Sequence, residues 1–164
     1  MTTTVLNEKV EIFKKSIEDI VAVLNNMEEA ALYVKPSESE WSAMQIVSHI
    51  IEAVEFWAAD LEALLVVPGA KWGRNHEHVR RLAAVDEKVV SRINKEEAIT
   101  ELQNLVPKVE AVLVKVTEED LIKTAPSYNP KFDGKPLSFL VDHLIVKHVT
   151  GHYGQIVRHL EKIQ

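Results

Sequence analysis

Residues 137–163, LSFLVDHLIVKHVTGHYGQIVRHLEKI, read as one long helix carrying two histidines four positions apart, His148 and His152. Pro136 stands near its first turn, where a missing backbone N–H costs nothing. With His148 as origin at about 100° per residue, Leu137, Val141, Leu144, Ile145, His152 and Ile163 fall within about 60° of it. His143 falls about 140° away on the same count, so it lies off the apolar stripe. Two imidazoles four residues apart stand side by side, about 6 Å from each other, on one helix face. That is how a helix offers two nitrogen ligands to one metal ion.

A third histidine has the same setting upstream. Residues from about 43 to 66 form a second amphipathic helix. Ser42 suits its N-cap, Gln45 three residues later completes a capping box, and Trp41 is placed to staple onto Ile46. Ile46, Ala53, Phe56 and Leu64 fall within about 60° of His49 on that helix. Residues 5–32 read as the first helix, with Val5, Ile12, Phe13, Ile17, Ile20, Leu24 and Met27 at three- and four-residue steps. Residues 95–115 read as the third, capped by Asn94, with Pro107 expected to kink or split it. A short helix is expected to start at Asn75, and Thr117 with Asp120 starts another turn. Residues 124–136, TAPSYNPKFDGKP, form a loop. Four long amphipathic helices without strand-like alternation predict an all-α antiparallel four-helix bundle. The whole chain, residues 1–164, is one domain at this length.

Composition excludes several classes. There is no cysteine, so zinc-ribbon, iron–sulfur and thioredoxin-like chemistries are ruled out. The 25 acidic and 19 basic residues give a net charge of −6, against the basic footprint of nucleic-acid binders. No apolar run approaches the roughly 20 residues that span a bilayer. The N-terminal residues lack a signal-peptide pattern, so a cytoplasmic location is expected.

Single histidines on apolar faces are usually core residues with a hydrogen-bonded ring. Three in one bundle core are costly unless something satisfies their nitrogens, and a divalent ion does so. Three nitrogen ligands also leave a coordination position open for water or substrate. Zinc and nickel suit imidazole, and iron is admitted. Glu52, three residues after His49, reaches toward the metal rim as a candidate general base; its plainer role is a boundary carboxylate paired with a basic side chain. Asp60 is about three turns from His49, too far to be a ligand. His159 reads as structural. Gln155 either orients a ligand or fills packing.

Residues 69–81, GAKWGRNHEHVRR, gather two glycines, a tryptophan, two histidines and a basic cluster. Lys71, Arg74, Arg80 and Arg81 are either a solvated face or the rim of a pocket that attracts an anion. Trp72 is either a pocket wall or a loop anchor. His76 and His78 lack a third partner in sequence. Tyr128, Phe132 and Tyr153 are further candidates for a pocket lining.

The Trp-Ser before the helix carrying His49, and HVTGHYGQI near the C-terminus, resemble the DinB/YfiT-like superfamily over almost the whole chain. The resemblance implies a four-helix bundle with a metal held by His49, His148 and His152. It also implies a homodimer, for which the first helix has apolar residues to spare. Members include metal-dependent hydrolases and transferases or isomerases that use small thiols; others have no assigned activity. The expected activity is therefore metal-dependent hydrolysis or small-thiol S-transfer on a small molecule, a thiol or an anion. The alternative is a non-catalytic, metal-stabilised ligand-binding or stress-response protein.

Overall fold

A computed structural model describes residues 4–163; the first three residues and the last of the expected 1–164 domain lie outside the described residues. The helices are α1 Thr4–Asn26, α2 Ala43–Val66, α3 Val79–Ala84, α4 Glu87–Val90, α5 Lys95–Leu113, α6 Glu118–Leu121, α7 Leu137–Phe139 and α8 Lys147–Ile163. A π-helical segment, Leu140–Val146, joins α7 to α8. Among the described residues no strand forms and no helix is long and apolar enough to cross a membrane.

Local chemistry sets several helix starts. The Ser42 side chain accepts the Gln45 N–H while the Gln45 side chain accepts the Ser42 N–H, the expected capping box. Asn94 accepts the Glu97 N–H, and Thr117 with Asp120 forms a second capping box. Four elements differ from the sequence reading, the π-helical interruption of the last helix among them. The first helix stops at Asn26, and residues 29–33 form a 3₁₀ turn that buries Leu32. The short helix begins at Val79 rather than Asn75, because the Asn75 side chain and carbonyl accept the N–H groups of Glu77 and His78 as a turn. Pro107 does not split α5, which runs through to Leu113.

The fold is the expected all-α four-helix bundle, and its helix order is the informative part. α1 and α2 each pack against both α5 and the last helix. Directions follow from cross-helix bonds. Lys9 pairs with Asp142 and Ser16 with Thr150, so α1 and the last helix run the same way. Glu55 pairs with Lys108 and Glu62 with Lys115, so α2 and α5 also run the same way. His49 meets His148 while Glu40 meets Lys162, so α2 and the last helix run oppositely. Round the bundle the order is first, third, second, fourth, with directions up, down, down, up.

Parallel neighbours need a connection that returns the length of the bundle. Residues 67–94 provide it, retracing α2, whose 24 residues extend about 36 Å. The Gly73 N–H donates to Asp60, Arg74 pairs with Glu52, Ser48 donates to the Ala84 carbonyl, and Gln45 donates to the Val85 carbonyl. The basic stretch is thereby laid beside the face of α2 that carries His49.

The 124–136 loop is clipped onto this return segment. Trp72 donates to the Pro126 carbonyl and accepts from the Tyr128 N–H. Its ring is buried and stacks on Phe132 at 5.7 Å. Gly73 has φ of 86°, and a Cβ there would lie 2.8 Å from Ser127 Oγ, so only glycine fits.

Candidate metal centre

His49 projects from the second turn of α2, and His148 and His152 from the start of α8. His49 is buried and the other two are half-buried. Their Nε2 atoms converge: His49 to His148 is 3.2 Å and His152 to His148 is 2.9 Å. The rings meet edge to face, with centroids 4.5–5.1 Å apart. Among the described residues no carboxylate joins this group.

Burial holds all three rings neutral. His49 is pushed down to about 2 and His148 to about 3, by burial first and then by the neighbouring imidazoles and the Arg81 and Arg74 guanidinium groups. His152 is lowered for the same first reason, partly offset by its bond to Gln155. Neutral imidazoles keep a lone pair. Gln155 Oε1 accepts from His152 Nδ1 at 2.7 Å, which places the His152 proton on Nδ1 and leaves Nε2 free. Three neutral rings cannot satisfy three converging Nε2 atoms with hydrogen bonds among themselves. The donor set fits a divalent cation. Two nitrogens about 2.0–2.1 Å from one tetrahedral ion lie about 3.3 Å apart, close to the separations found.

The surroundings are partly those expected. The Trp41 ring lies 5.1 Å from that of His49, a neighbour the sequence reading placed on Ile46 instead. Glu52 is held by Arg74 through both carboxylate oxygens, at 2.6 and 2.8 Å. Arg74 is buried, its guanidinium 4.1 Å from the Phe56 ring centroid. Arg80 is exposed, 3.8 Å from Glu52. Arg81 is half-buried and lies 6.0 Å from the Trp41 ring centroid. All three arginines therefore sit at the histidine end of α2. Trp72 is a loop anchor in the core, as described above. His76 is exposed, and His78 packs against Phe56. His159 donates to the Val34 carbonyl, a structural role. His143 is exposed, Tyr128 is exposed beside Lys71, and Phe132 packs on Trp72.

The π-helical segment explains one disagreement with the helical count. An ideal helix would put Val146 about 160° from His148, on the far side. Val146 is nevertheless buried, and Leu140 with it. The wider turn lets this stretch bury residues against both α1 and α2 before α8 presents its histidines.

No curated protein sequence matches the chain. Among solved structures, the fold is similar to YfiT from Bacillus subtilis, described as a probable metal-dependent hydrolase with an unusual four-helix bundle topology. The TM-score is 0.74 at 15% sequence identity, covering 99% of this chain and 90% of that one. The sequence matches the DinB superfamily model over residues 12–156, nearly the full bundle. The chain belongs to the DinB superfamily.

Proposed function

We propose that the protein is a divalent-metal-dependent hydrolase of a small molecule, with His49, His148 and His152 as ligands. The observation that carries this is the convergence of three neutral Nε2 atoms without a fourth protein ligand among the described residues. Such a set leaves room for water or substrate, as reacting sites require. The likeness to YfiT supports hydrolysis as the class. Zinc or nickel suits the imidazoles, with iron also admitted.

When bound, such an ion supplies Lewis acidity, acidifying a water or thiol and polarising a carbonyl. The chain's own residues do the rest. Burial keeps the imidazoles unprotonated at neutral pH. Gln155 fixes the tautomer of His152, and Trp41 covers one side of His49. Glu52 orients Arg74, and both of its carboxylate oxygens are engaged by that guanidinium.

That last observation favours a second reading, small-thiol S-transfer. A thiol ionises far more readily than water and so needs less help from a base. The chain has no cysteine, so the sulfur must arrive with the substrate.

The test is metal content followed by turnover. One ion per chain is expected, lost in His148→Ala. The loaded protein is then assayed on ester and amide panels, and on thiols with electrophiles. Hydrolysis supports the first reading and thiol transfer the second. A bound ion with no turnover on either panel favours a metal-stabilised binding protein. Absence of a bound ion sinks the metal reading.

The protein works as a cytoplasmic homodimer in this reading. Val5 and Ile12 leave apolar surface exposed on α1, and an open groove between α1 and α5 is lined by Ile17, Val21, Val106 and Pro107. Sedimentation giving only monomer at micromolar concentration rejects the dimer.

A further inference from the structure

Three arginines lie at the histidine end of α2, and their partners differ. Arg74 is buried and bound to both oxygens of Glu52. Arg80 is exposed and leans on the same carboxylate. Arg81 alone makes no direct ion pair among the described residues, although the Glu52 carboxylate still acts on its charge from further off. One guanidinium N–H donates to the His76 carbonyl at 3.0 Å, leaving the others of its five donors without an acceptor among the described residues. Its side chain is half-buried, so part of its hydration is lost without an ion pair in return. The burial is real enough to lower its affinity for the proton.

Position gives this charge a direction. Arg81 faces the Trp41 ring at 6.0 Å, and Trp41 faces His49 at 5.1 Å. A planar guanidinium matches a carboxylate or a phosphate with two parallel hydrogen bonds. In a chain of net charge −6, a lone half-buried cation beside the cluster selects for an anion.

We infer that Arg81 anchors an oxyanion of the substrate, a carboxylate or a phosphate, beside the three histidines. The inference deepens the metal-dependent reading by naming the substrate class, and it rests on that reading only for what is then cleaved. Arg74 and Glu52 hold the local architecture, while Arg81 holds the ligand.

The test separates the arginine from the metal. Binding of inorganic phosphate and of glutarate is measured by titration calorimetry on chelated protein and on zinc-loaded protein. In the chelated protein no ion competes, so affinity reports the arginine. Arg81→Gln is expected to weaken both probes about tenfold or more, as loss of a charge-assisted pair does. Arg81→Lys keeps the charge without the fork and should weaken them by a smaller factor. Arg92→Gln removes one exposed charge elsewhere and should change neither. If Arg81→Gln does not fold, the Arg81→Lys comparison carries the test. A tighter phosphate than glutarate assigns a phosphate-bearing substrate, and the reverse a carboxylate; either supports the inference. Wild-type affinity in the folded arginine variants overturns it, as does failure of both probes to bind chelated wild type at millimolar concentration. If zinc does not bind but phosphate binding still depends on Arg81, the metal reading fails and the anchor stands.

Discussion

Gln155 lies one turn beyond His152, and its amide oxygen accepts the ring's Nδ1 proton at 2.7 Å. A glutamine chosen by packing alone would not need that contact. Outer partners of this kind typically change metal affinity by about 10–100-fold when removed. Gln155→Ala is therefore expected to weaken zinc binding within that range, while moving the melting temperature of the chelated protein little. Competition titration with a chromophoric chelator reads the first and calorimetry the second. Unchanged zinc affinity would reduce Gln155 to a packing residue.

An ion that binds only the folded bundle must stabilise it by mass action. At a free metal concentration 100 times the dissociation constant the gain is about 2.7 kcal/mol. Chelation should lower the melting temperature of the wild type accordingly. In His148→Ala the melting temperature should no longer respond to chelator. Equal melting of wild type with and without metal would remove the case for a tightly held ion.

In the metal-free protein, acid should act through the same rings. The fold holds His49 at about 2 and His148 at about 3, against an ordinary value of 6.5. Between these values the unfolded chain carries protons that the folded chain refuses. Stability is thus full above pH 6.5 and falls as pH drops toward 4, by up to about 1.4 kcal/mol per pH unit for each ring. Urea melts of chelated protein at pH 7 and pH 5 measure the slope. The double variant His49→Gln/His148→Gln should flatten it, and a slope equal to that of the wild type would contradict the assignment.

The Arg74–Glu52 pair should behave as a buried one. The Arg74 side chain is 3% exposed and that of Glu52 15%. Glu52→Ala leaves a buried guanidinium without its partner, an uncompensated charge that costs about 3 kcal/mol or more. Arg74→Met with Glu52→Leu should recover most of that loss. Chemical denaturation of the three variants checks this; a cost below about 1 kcal/mol for Glu52→Ala would place the pair with ordinary surface ion pairs.

The bundle was legible because each long helix carries its own pattern. Ser42 and Gln45 announce the start of α2, and the apolar stripes place His49, His148 and His152 on packed faces. What sequence periodicity lacks is any statement of which helix lies beside which. Helix order depends on contacts between residues far apart in the chain, such as Lys108 with Glu55. For that reason spacing alone does not place Arg74, Arg80 and Arg81 beside the histidine end of α2, where the return segment lays them. The divergent partners of the three arginines turn on a single carboxylate, Glu52, whose partner no spacing rule identifies. The end of α1 at Asn26 was hidden for a different reason. The 3₁₀ turn that follows continues to bury Leu32, so the apolar recurrence does not stop where the α-helix does.

The return of residues 67–94 along α2 divides the labour of the molecule between two kinds of chain. The rings that converge sit on long helices whose other faces build the core, so they cannot drift without unfolding the protein. The charges beside them ride on a connector that is bonded to α2 and pinned by the buried Trp72, Arg74 and Val90. Such a connector has fixed and free positions. Trp72 and Arg74 are buried and tie it down, whereas exposed positions such as Arg80 can change charge without disturbing the converging nitrogens.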